Sequence, residues 1–99
     1  MNFEDLTQKE LELYNAKNRD YTKGGDTYGN FNRVAQILSL YPKLNLADPR
    51  VVCMVYLFKQ LDSALWMMSE GYEGEMENID GRLTDVHVYA KIARLLGSQ

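Results

Sequence analysis

The chain has 99 residues, 45% of them hydrophobic and 25% charged, which suffices for one modest core and one domain spanning residues 1–99. A formal net charge of −3 excludes a general duplex nucleic-acid binder, which needs a dense basic face to displace counterions from phosphates, but leaves small anionic ligands open. One cysteine excludes an intrachain disulfide, and one cysteine with one histidine excludes a Cys/His zinc site.

Apolar periodicity predicts an all-α chain of four helices. The first is expected from about Glu4 to Asn18, with Phe3, Leu6, Leu13 and Tyr14 on its inner side. The segment from Lys17 to Asn32 is richer than a simple connection requires. Lys17, Arg19 and Lys23 can meet phosphate, Gly24 and Gly25 allow close backbone approach to an anion, and Tyr21 and Tyr28 offer faces for a base. The same residues also suit an ordinary helix end, where basic side chains and glycines are favoured.

The second helix is expected to begin near Asn30 as N-cap, turn Phe31, Val34, Ala35, Leu38 and Tyr41 inward, and end at Pro42. Asp48 followed by Pro49 marks the start of a third, central helix reaching about Glu70. Val51, Met54, Val55, Phe58, Leu61, Leu65 and Met68 give it an inner stripe, with Val52, Leu57 and Ala64 widening it. Val52, Leu57, Trp66 and Met67 lie around the helix away from its main stripe, so some of them are expected to face a second subunit of a homo-oligomer, the alternative being that the first and fourth helices cover them. Past Gly71 an acidic stretch leads to a fourth helix starting between Asp80 and Thr84, with Leu83, Val86, Tyr89, Ala90, Ala93 and Leu96 inward and Gly97 as its stop. No export signal opens the chain, and the longest apolar run, Val51 to Phe58, is far short of a bilayer span, so a cytoplasmic protein with no membrane partner is expected.

Lys59 and Asp62 fall at i, i+3 within the apolar third helix, so the two are expected to reach a cavity or interface together and to neutralise each other, with Lys59 also available to a ligand. Glu77, Asp80 and Asp85 form a candidate Mg²⁺ set, with solvated residues at a helix start as the alternative. His87 suits a surface imidazole, and Cys53 a small buried hydrophobe.

The order Lys17-Asn18-Arg19-Asp20-Tyr21, Gly29-Asn30-Phe31 with Ala35, a long apolar helix holding Lys59, and Asp80 to Tyr89-Ala90 resembles the phage nucleotide-modification-associated proteins, small all-α proteins distantly similar to MazG-like nucleotide pyrophosphatases. The resemblance implies a nucleotide or nucleotide-derived ligand, and carries over Asp20, Tyr21, Asn30, Phe31, Lys59, Asp80, Asp85 and Tyr89. Thr22 stands where the family has glycine, and Gly81 where it has serine. Glu77-Asn78-Ile79-Asp80 fits the second carboxylate box of the MazG-like enzymes, whereas the first, E-x-x-E, is expected to be absent. Half the metal set that stabilises a reacting triphosphate is therefore missing. The expectation is a small phage-type protein that binds and sequesters a phosphorylated nucleotide signal, with Lys17, Arg19, Lys23, Arg33 and Lys59 on phosphates, Tyr21, Tyr28 or Phe31 on the base, and Asn30 on its edge. The alternatives are a magnesium-dependent nucleotide hydrolase or modification accessory, and a protein–protein inhibitor of a host factor that uses the acidic stretch.

Overall fold

The computed structural model describes residues 1–22 and 28–99. Four helices follow in order: α1, Phe3–Thr22; α2, Gly29–Ser39; α3, Pro49–Glu70; and α4, Ile79–Gly97. The punctuation marks are those of elementary helix chemistry. Asp48 accepts from the Arg50 amide with Pro49 at the first helical position, and Gly71 closes α3 in the left-handed region at φ 72° while its N–H bonds to the Met67 carbonyl. Asn78 caps α4 by accepting from the Gly81 amide at 2.7 Å, which starts that helix at Ile79, ahead of the expected Asp80.

The central unit is the antiparallel pair α3 and α4. Cys53 Sγ lies 3.3 Å from the Tyr89 carbonyl, and Gln60 meets Arg82 further down the pair, fixing the register. The buried apolar residues are Val34, Cys53, Leu57, Ala64, Met67 and Ala93. Leu57 and Ala64 are buried as expected, but Met67, placed off the inner stripe, is also in the core, and Leu65 and Met68, placed on it, are exposed. The physical reason is size. Cys53, Ser63 and Ala64 on α3 and Ala93 on α4 are small, so the two backbones can close on that side, and apolar residues elsewhere around α3 do not offer that fit. On α4, Ala93 is buried as expected, but Leu83 and Ala90 are exposed.

α2 lies across α3, held by bonds from Asn30 and Arg33 to Asp62. Its N-cap is Tyr28; Asn30 sits inside the first turn because its amide is drawn to α3, and the helix ends at Ser39, before Pro42. α1 runs on past Asn18 to Thr22 because Asp20 and Tyr21 find tertiary partners. Every residue from Met1 to Asn15 is exposed, so among the described residues Phe3, Leu6 and Leu13 of the expected inner face of α1 stay uncovered, and Tyr14 is half exposed. The radius of gyration, 15.7 Å, exceeds the roughly 13 Å of a compact chain of this length, as a projecting helix requires. Among the described residues α3 alone is long and apolar enough to cross a membrane by length and composition, with mean hydropathy 1.3, yet it carries Lys59 and Asp62 and serves as the platform for α2 and α4.

Candidate functional site

The last turns of α1 bring Tyr14, Lys17, Asn18 and Tyr21 opposite Asn30 and Phe31 of α2 and Lys59 of α3, around a cleft of about 260 Å³. A second cleft, of about 540 Å³, continues from the same Asn30, Phe31 and Lys59 toward Val34, Tyr56, Gln60 and Tyr89. The two form one groove with aromatic walls, in which Tyr56 and Tyr89 meet edge to face at a 6.0 Å centroid separation. Two ammonium groups line it. Among the described residues neither Lys17 nor Lys59 has a carboxylate partner, and Lys59 Nζ lies 5.3 Å from the Tyr21 ring centroid.

Tyr21 is fixed from behind. The Arg82 guanidinium stacks 4.5 Å from its ring centroid, and Arg82 Nη1 donates to the Tyr21 hydroxyl at 3.1 Å and to Gln60 Oε1 at 2.9 Å. Arg82 is almost wholly buried and also faces Glu77 Oε2 at 3.2 Å, while its Nε has no partner among the described residues. It thus ties the wall of one cleft to the wall of the other. The sequence held a signal for it. A cation in the first turns of a helix opposes the macrodipole, so an arginine there needs a tertiary partner.

Under the groove, Arg33 grips Asp62 with two bonds, Nε to Oδ1 at 2.7 Å and Nη2 to Oδ2 at 2.9 Å, and Asn30 Nδ2 adds a third at 2.8 Å. The Arg33 guanidinium also covers Trp66, 4.3 Å from the ring centroid. This corrects the expected Lys59–Asp62 pair. Arg33, one helix away, neutralises the carboxylate, and the Lys59 ammonium turns toward Tyr21 instead.

Asp20 is buried at the end of α1, where Oδ1 accepts from the Glu75 amide at 2.5 Å and Oδ2 from the Met76 and Glu77 amides at 2.6 and 2.9 Å. Tyr72 donates its hydroxyl to the Asp20 carbonyl at 2.9 Å; burial, and then the nearby Asp20 charge, push its pKa up. Glu77 is also pushed up, first by partial burial and then by its hydrogen bond with Asp85. Glu77 and Asp85 therefore share a neighbourhood, but no three acidic, histidine or cysteine side chains among the described residues converge as a metal site, so the candidate set Glu77, Asp80 and Asp85 does not close around one point. Contrary to the expectation, an E-x-x-E spacing does occur, at Glu70 and Glu73, but it straddles the left-handed turn that ends α3 and so does not lie on one helix.

No family model, curated protein or solved structure matches the chain. The site's meaning thus rests on its own geometry. Of the expected ligand residues, Lys17, Tyr21, Asn30, Phe31 and Lys59 line the groove. Asp20 and Arg33 are engaged in holding the fold, and Arg19 lies 3.3 Å from Glu75 in an exposed pair. Tyr28 stands at the start of α2, outside the groove lining. Lys23, with Gly24 and Gly25, falls outside the described residues.

Proposed function

We propose that the groove between α1, α2 and α3 binds a phosphorylated nucleotide, or a signal built from one, and holds it without turnover. The observation that carries this reading is the pairing of two ammonium groups, Lys17 and Lys59, with an aromatic lining of Tyr14, Tyr21, Phe31, Tyr56 and Tyr89. Phosphates would meet the lysines, and the base would stack on Tyr21 or Phe31, both open to the groove. Holding in preference to hydrolysis is supported by the fate of Asp62. A metal-dependent mechanism would call on it opposite Asp80, but it is already bonded to Arg33 and Asn30. A phage could use such a protein in the host cytoplasm to sequester a nucleotide signal of defence, a role that rests on the sequence resemblance.

The test is thermal stabilisation by a panel of mononucleotides and cyclic dinucleotides with Mg²⁺, followed by denaturation and analysis of what is released. Intact ligand is the expected result. Lys59→Met should weaken binding at least about tenfold, since a charge-assisted contact contributes roughly 1.5–3 kcal/mol. No stabilisation by any member of the panel would refute the binding reading, and a cleaved product would replace holding with hydrolysis.

A further inference from the structure

Phe3, Leu6, Glu10, Leu13, Tyr14, Lys17 and Tyr21 recur at spacings that place them on one face of α1. The C-terminal part of this face, Tyr14, Lys17 and Tyr21, walls the smaller cleft. The N-terminal part is apolar and uncovered; Phe3 is 80% exposed and Leu6 and Leu13 about half. An apolar stripe this long on a projecting helix calls for a covering surface.

The charges of α1 are divided unevenly along it. Glu4, Asp5, Glu10 and Glu12 against Lys9 make the N-terminal half acidic, while Lys17 and Arg19 against Asp20 make the C-terminal half basic. Such a helix complements itself head to tail. We propose that α1 pairs antiparallel with α1 of a second copy of this chain. Setting Glu10 against Lys17 of the second copy also sets Leu13 against its Tyr14 and Leu6 against its Tyr21. The two-fold axis repeats each contact, giving two Glu10–Lys17 pairs around an apolar centre. A helix of 20 residues is about 30 Å long, enough for the interface on the order of 1,000 Å² that stable association needs.

The pairing deepens the binding reading in one respect and rests on it there: Lys17, which walls the groove, is also the residue that meets Glu10 of the second copy, so the other chain stands at the rim of each groove. Lys17 then stands between the ligand and Glu10 of the second copy, leaving Lys59 as the inner cation.

The experiment is sedimentation of the full chain without nucleotide, so its outcome is separate from that of the binding test. The wild-type chain is expected to sediment as a dimer. Glu10→Lys and Lys17→Glu should each weaken self-association roughly tenfold, because two attractive exposed pairs become repulsive. Mixed one to one, the two variants restore both pairs and should form a heterodimer. Glu10 is exposed and outside the core, and far-UV circular dichroism checks that both variants keep their helices. A monomeric wild-type chain, variants that dimerise as the wild type does, or a mixture that stays monomeric would each overturn the antiparallel pairing.

Discussion

Replacing Asp20 by Asn changes only one atom type, yet it strikes the joint that fastens α1 to the turn before α4. The carboxylate serves amides on both of its oxygens, Glu75 on Oδ1 and Met76 with Glu77 on Oδ2. A carboxamide has one acceptor oxygen. If that oxygen keeps Met76 and Glu77, its NH₂ faces the Glu75 N–H, and a part-buried donor loses its partner at a cost of about 1–3 kcal/mol. The two remaining bonds also lose the ionic character of their acceptor, about 0.5–1 kcal/mol each. Relief of repulsion from nearby Glu75 and Glu77 offsets a few tenths of a kcal/mol at most. The net loss is therefore about 2–5 kcal/mol, a large share of the roughly 5–15 kcal/mol that a domain possesses. Urea unfolding followed by far-UV circular dichroism would measure it, and the melting temperature should fall by about 10–25 °C. Amide exchange at Glu75, Met76 and Glu77 should accelerate in step. Stability within about 0.5 kcal/mol of the parent would refute the assignment of Asp20 as this fastening.

Asp62→Ala removes the carboxylate that accepts two bonds from Arg33 and one from Asn30 and should cost about 3 kcal/mol by urea unfolding, because three bonds to one ionised acceptor are lost together in a part-buried cluster. Gly74→Ala should destabilise by roughly 1–3 kcal/mol in the same assay, since a Cβ there would collide with the Glu77 backbone carbonyl, which has little room to yield. Glu77 has a folded pKa raised above its ordinary 4.5, so its contribution to stability is full below that value and is lost as pH rises through the raised one. Glu77→Gln removes this dependence, and the stability of the variant relative to the parent should increase between pH 4 and pH 7. A constant difference across that range would show that burial and Asp85 do not govern this carboxyl.

The parts of the fold legible in the sequence are those written locally. Asp48-Pro49 and Gly71 act within one helical turn, and a reader of the sequence finds both ends of α3 from them. The inner side of α3 was not legible, because apolar residues ring that helix and periodicity cannot tell a side that admits α4 from one that does not. Asn30 has the chemistry of an N-cap; only its 2.8 Å bond to Asp62, a residue 32 positions away, reveals another use. Tyr21 and Lys59 were found as ligand candidates from composition and from an isolated charge in an apolar run. Arg82, 61 positions from Tyr21, joins the site through the reach of its side chain from the first turns of α4 to the end of α1.

Met67 is the most deeply buried large side chain, and its sulfur accepts from the Gly74 amide at 3.1 Å, whereas Met68 and Met76 are more than half exposed. Peroxide can reach the latter two thioethers in the folded protein, but Met67 can be converted to its sulfoxide only when α3 and α4 separate. The order in which these methionines gain oxygen is thus a chemical record of how often the central helix pair opens.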